Sequence, residues 1–187
     1  MKTLKKIGFI VLVIVVLPCI AALFIPKSYT ISVSETINKP KDEVYNYMRM
    51  LNNQKNYNMW IMEDPELSLQ VKGTDGSVGA IQQWNSKISN VGEGEQEITM
   101  LSPEKINLAL RFKRPMEGTA YVTNSFKPIA RNQTQVTAEF QTSSPYPMNL
   151  LSFVFGRKMI KETQTKNLQN LKRILETKQS SQADLEN

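Results

Sequence analysis

From Leu67 onward, apolar residues recur at every second position, segment after segment, and this restricts the chain to a sheet with one buried face. Leu67, Leu69 and Val71 begin the pattern. Segments 78–88 (with Trp84 inside), 95–101, 106–112, 119–126 and 134–140 continue it. Ile106, Leu108, Leu110 and Phe112 alternate without a fault. The stretches between them are turn-forming: Gly73-Thr74-Asp75-Gly76, 90–94, Ser102-Pro103-Glu104 and Pro115-Met116-Glu117-Gly118. Strands joined so closely predict an antiparallel meander.

Two further patterns bracket the meander. Segment 29–37 alternates as well, with Tyr29, Ile31, Val33 and Ile37 on one face and Glu35 interrupting it. A helix is predicted over 41–51, where Val44, Tyr45, Met48 and Leu51 form one stripe. Asn38 is a candidate cap, Pro40 suits the first turn, and Asp42 and Glu43 sit where the helix dipole favours negative charge. At the other end, Pro145 and Pro147 stop the sheet. Beyond them Leu150, Leu151, Phe153, Val154, Met159, Ile160, Leu168, Leu171, Ile174 and Leu175 recur at helical spacing, predicting one long amphipathic helix bent at Gly156. A sheet with one apolar face needs a cover, and this helix is the one predicted element large enough. The fold class is therefore α+β.

The N-terminus reads differently. Residues 7–25 form an apolar run preceded by Lys2, Lys5 and Lys6 and followed closely only by Lys27. That predicts an uncleaved single-pass transmembrane helix within an anchor over 1–27, with the N-terminus cytoplasmic and the domain on the periplasmic or extracellular side. A cleaved signal peptide is the alternative, with Ala21 and Ala22 as small residues near a cleavage point. Pro18 kinks such a helix. A single domain is expected over 28–178, and a polar, disordered tail over 179–187.

Composition excludes several functions. The net charge is +6, half of it from the three N-terminal lysines, and no lysine-arginine block resembles a nucleic-acid arm. No nucleic-acid partner is expected. The chain has no histidine, and its single cysteine, Cys19, lies in the apolar run. No metal-ligand spacing occurs, so neither metal nor cofactor is expected. Catalysis would fall to carboxylates, tyrosine, lysine or serine. Glu35 is the carboxylate to weigh: either it points inward as a base, or it is an edge-strand glutamate in water or paired with Arg111 or Lys113. Glu93, Glu95 and Glu97 share one solvated strand face. The long helix carries Arg157, Lys158, Lys161, Lys166, Lys172, Arg173 and Lys178 against Glu162 and Glu176. That face is either solvated or rests on anionic headgroups.

Several local sequences carry a family likeness: Ile37-Asn38-Lys39-Pro40-Lys41-Asp42-Glu43-Val44, Trp60 with Asp64-Pro65, Gly79 with Trp84, Phe112 with Pro115 and Met116, and Thr134-Gln135-Val136-Thr137. With the element order, they resemble the START-like helix-grip superfamily, also called SRPBCC or polyketide cyclase-like, over residues 28–176. The resemblance implies a curved antiparallel sheet wrapped around the C-terminal helix, with an internal cavity for a lipid or other hydrophobic small molecule. It implies that Trp84, Leu108, Leu110, Phe112, Val136, Phe140, Phe153 and Ile160 line the cavity, or else fill a solid core, and that Tyr57 and Trp60 stand at its mouth. The function expected is a membrane-anchored, non-catalytic binding module. The alternatives are a cyclase- or hydratase-like enzyme using a cavity carboxylate or tyrosine, and an interaction module without a ligand.

Overall fold

The computed structural model describes residues 2–183. It contains α1 (Lys2–Leu23), β1 (Ser28–Ile37), α2 (Lys41–Arg49), a 3-10 turn (Leu51–Asn56), α3 (Met59–Met62), β2 (Gln70–Lys72), β3 (Ile81–Asn85), β4 (Glu93–Ser102), β5 (Lys105–Arg114), β6 (Gly118–Ala130), β7 (Gln133–Ser143), α4 (Met148–Leu151), a π-helical turn (Ser152–Gly156) and α5 (Arg157–Ala183). The strands form one antiparallel sheet in the order β1-β7-β6-β5-β4-β3-β2. β2 to β7 are the expected meander. β1 closes onto β7, and α2, the 3-10 turn and α3 carry the chain from one edge of the sheet to the other.

The register explains the alternation. Ile31 pairs with Phe140, Phe140 with Val122, Val122 with Leu108 and Leu108 with Ile98, one row crossing five strands. All five side chains are buried, and α5 covers their face with Leu168, Leu171 and Leu175. α2 adds Val44 and Met48, while Leu51 opens the 3-10 turn instead of extending the helix. Asn38 does not cap α2. Pro40 occupies the cap position, and Asn38 is engaged elsewhere: its N–H donates to Glu176 Oε1 at 2.7 Å and its Oδ1 accepts from Gln133 Nε2 at 2.9 Å.

The bend expected at Gly156 is a π-helical turn ending there. The Tyr29 hydroxyl donates to the Ser152 carbonyl at 3.0 Å, within the turn. A β-carbon at Gly156 would stand 2.9 Å from that hydroxyl, so a residue without a side chain lets β1 approach the turn.

The membrane anchor is corrected. Among the described residues, no helix is long and apolar enough to cross a membrane. Two features shorten the apolar run: lysines occupy the start of α1, and its C-terminal end belongs to the folded domain. Ala22 is buried, and Asn149 Nδ2 donates to the Ala22 and Ile25 carbonyls at 2.8 and 2.9 Å, capping the helix from α4. That leaves residues 7–21 between the lysines and the docked end, short of the roughly twenty a crossing needs. The orientation read from the flanking lysines, with the domain on the periplasmic or extracellular side, goes with it. At the other terminus α5 reaches Ala183, entering the stretch read as a tail, and residues 184–187 lie outside the described residues.

Candidate functional site

α5 lies along β1, and the contacts change in character along its length. Near its C-terminal end Asn167, Leu168, Leu171 and Leu175 are buried, and Lys172 Nζ meets Glu35 Oε1 at 3.0 Å. Glu35 therefore does point inward from β1, toward the long helix. Its partner is Lys172; Arg111 and Lys113 are engaged by other carboxylates. Lys172 holds its proton more tightly than an ordinary lysine, chiefly through the hydrogen bond to Glu35. A shallow concavity of about 620 Å³ beside this pair is lined by Glu35, Gln169, Lys172, Arg173, Glu176 and Thr177. Its charges oppose one another.

The first three turns of α5 are unlike this. Every side chain from Arg157 to Lys166 is half-buried or exposed. Here α5 faces α3 across a crevice of about 550 Å³, lined by Met59, Trp60, Met62, Glu63, Asn90, Met159, Glu162, Thr163 and Lys166. α3 is held in place by its own cap and by α5. The Asn58 side chain accepts from the Trp60 N–H at 3.1 Å, and Asn167 Oδ1 accepts from the Met59 N–H at 2.8 Å. Asn170 Nδ2 reaches the Met59 sulfur at 3.3 Å. The loop between β3 and β4 supplies Asn90, which donates to Glu63 at 3.4 Å.

That same loop is tied to the inner face of the sheet. Trp84 Nε1 donates to the Val91 carbonyl at 3.2 Å, and the Trp84 ring meets Phe112 edge-on at 6.1 Å. Gly94, paired with both residues, makes room: a β-carbon there would stand 2.7 Å from the indole ring. Trp84, Leu110 and Phe112 are only half-buried, so this part of the sheet's inner face keeps apolar surface without a full cover.

Next to these residues on the inner face is a buried amide ladder. Gln96 Nε2 donates to Gln54 Oε1 at 2.8 Å and to Gln82 Oε1 at 2.6 Å. Gln54 Nε2 donates back to Gln96 at 3.2 Å, and Gln82 Nε2 donates to the Leu51 carbonyl at 2.8 Å. Paired in this way, the buried amides tie the 3-10 turn to β3 and β4 without leaving these polar atoms unmatched.

The residues expected to line a cavity fall into three groups. Leu108, Val136 and Phe140 are fully packed in the core. Leu110, Phe112 and Ile160 are half-buried against its edge, and Trp84 lies beside Phe112. Phe153 sits on the π turn, edge-on to Tyr29 at 6.2 Å and under the Arg157 guanidinium at 4.5 Å. Of the residues expected to line a cavity or stand at its mouth, Trp60 alone is in the crevice lining. Tyr57, its expected companion at the mouth, is buried instead; burial foremost and Tyr47 second push its hydroxyl well above the usual tyrosine value, so it stays protonated.

Sequence reasoning assigned no site role to Met59, Met62, Met159 and Thr163 of the crevice, or to Gln54, Gln82 and Gln96 of the ladder. A signal for the glutamines was present: Gln82 and Gln96 are two residues from Trp84 and Ile98 and so share their inward face.

On the outer face, the three glutamates of β4 are engaged by basic residues of β5. Arg111 reaches Glu95 at 3.1 Å and Glu97 at 2.6 Å, and Glu93 takes Arg114 at 3.2 Å and Lys113 at 3.4 Å. Glu93 titrates below the usual carboxylate range, mainly through its hydrogen bond from Arg114, and Glu95 does so mainly through one from Gln83. No group of histidine, cysteine, aspartate or glutamate among the described residues is arranged to hold a metal ion.

No family model and no curated protein matches the sequence. Solved structures do match in shape. Norcoclaurine synthase from Thalictrum flavum, in complex with dopamine and hydroxybenzaldehyde, superposes with a TM-score of 0.62 at 11% identity, over 79% of this chain and 86% of that one. Ara h 8.0201 gives 0.56 at 8% identity, over 80% and 99%. DynU16 from the dynemicin biosynthetic locus gives 0.56 at 14% identity, over 79% of this chain and 47% of that one. At such identities the likeness speaks for architecture, and function is argued separately from the site. The chain has a helix-grip fold, a seven-stranded antiparallel sheet with a long C-terminal helix, as these structures do.

Proposed function

We propose that this protein binds a hydrophobic small molecule or lipid, without catalysis, in the crevice between α3 and the first turns of α5. The observation that carries this reading is the apolar lining left open there. Trp60, Met59, Met62 and Met159 surround about 550 Å³, a size usual for ligand sites, beside a sheet end where Trp84 and Phe112 stay half-buried. Methionine lining suits a ligand whose shape is not closely specified, because thioether side chains repack readily. The Trp60 ring gives a flat apolar wall. Glu35, paired with Lys172 and outside the crevice lining, offers no free base there, so no chemical step is assigned.

The test is uptake of Nile red, a neutral hydrophobic dye, followed by its fluorescence. Trp60→Ala should weaken uptake about tenfold, as truncating a buried aromatic anchor commonly does. Thr163→Trp, which fills the crevice from the α5 side, should abolish it while the protein still unfolds cooperatively. Undiminished uptake by folded Thr163→Trp protein would refute the proposal.

A further inference from the structure

The crevice has a charge of its own. Its lining brings two carboxylates, Glu63 from the end of α3 and Glu162 from α5, against one ammonium, Lys166. The chain as a whole carries net +6, so this is a locally acidic rim on a basic protein. The two acids come from different elements and flank the same apolar walls. Glu63 has no ion-pair partner among the described residues and accepts a 3.4 Å hydrogen bond from Asn90, while the Lys158 pair with Glu162 is long, at 3.9 Å, and largely exposed, so it leaves most of that carboxylate's field in place. Trp60 adds an aromatic face, the surface that attracts an organic cation most strongly among side chains. The concavity beside Glu35 lacks this combination. Its lining has no aromatic residue, Lys172 already pairs with Glu35, and Glu176 accepts the Asn38 N–H.

We infer that the crevice selects ligands bearing one positive charge on an apolar body, such as an alkylammonium or an aromatic amine, with Glu63 and Glu162 as the specificity-determining residues. The inference rests on the crevice being the binding site, and it adds the class of molecule. Apolar burial against the methionines and Trp60 supplies affinity for any hydrophobic molecule. The carboxylates then distinguish a cation from its neutral and anionic counterparts.

Three probes sharing one alkyl chain separate these contributions: octyltrimethylammonium and octanoate below their micelle concentrations and octanol below its solubility limit, each displacing Nile red. The ammonium should displace at about a fivefold lower concentration than the alcohol, the scale of ion pairing at a half-exposed rim. The carboxylate should be weakest. In the Glu63→Gln, Glu162→Gln double variant, the ratio of ammonium to alcohol should fall to about one, and added salt should compress it in the parent protein. Equal displacement by all three overturns the charge selectivity and leaves the binding site standing. Preference for octanoate also overturns it and assigns the rim to Lys166. Failure of all three to displace the dye overturns the binding site itself.

Discussion

The two ends of α5 do opposite things with the same kind of sequence. Both are amphipathic, and both carry lysines and glutamates outside apolar stripes. Toward the C-terminus the stripe is leucine, and Leu171 is 0% exposed against the sheet. Toward the N-terminus it is Met159, 50% exposed, followed by Ile160 at the edge of the core. Polar contacts follow the same division. Lys172 grips Glu35, and Glu176 accepts the Asn38 N–H, fastening one end to β1 and the loop after it. At the other end Tyr29 meets the π turn and Arg157, and in the next turns no side chain from Arg157 to Lys166 is fully buried. One part of the helix is a structural cover, and the other leaves an edge over an open crevice.

The contrast makes stability a direct probe. Leu171→Ala should cost about 2–5 kcal/mol in urea unfolding, the range for a buried leucine that leaves a cavity. Met159→Ala, about three turns away on the same helix, should fall within about 0.5 kcal/mol of the parent, as surface changes do. Similar losses for the two would erase the distinction between the ends.

The amide ladder tests how the open end keeps its shape. Gln96→Leu removes a partner from both Gln54 and Gln82, and leaving buried polar groups unmatched should cost about 1–3 kcal/mol. A variant as stable as the parent would mean that the open end does not depend on the ladder.

Acid and base should act on different ends, with the smallest effects of the series. Glu93 and Glu95, at the start of β4 after the loop that supplies Asn90, titrate below their ordinary range. Their contribution is therefore present above that range and is lost as pH falls through the lowered values. Lys172, at the fastened end, titrates above the ordinary lysine range. Its contribution is present below that range and is lost as pH rises through the raised value. Amide exchange or backbone NMR shifts across a pH series should show β4 and β5 responding first in acid, and the last turns of α5 responding first in base.

Much of this was legible in the chain itself. Alternation in β5 and β7, the turn sequences and the leucine periodicity of α5 are local patterns, and a local pattern needs only its own period to be read. Glu35 is an instructive intermediate. The alternation of β1 left two readings open, inward or edge-strand and paired, and its partner lay 137 residues away on α5, where no spacing rule could reach it. The N-terminal run shows the opposite limit. Its apolarity looked like a lipid-facing segment because the Asn149 side chain that caps its end arrives from a distant helix.

Periodicity by itself determined that this chain would be an antiparallel sheet covered by a terminal helix, because burial of one face is encoded every two or every three to four residues. Only the tertiary structure decided where that cover ends. The crevice exists because α3, joined to the β3–β4 loop through Asn90 and to α5 through Asn167, leaves a gap beside the first turns of α5, and a gap between elements distant in sequence has no period to announce it.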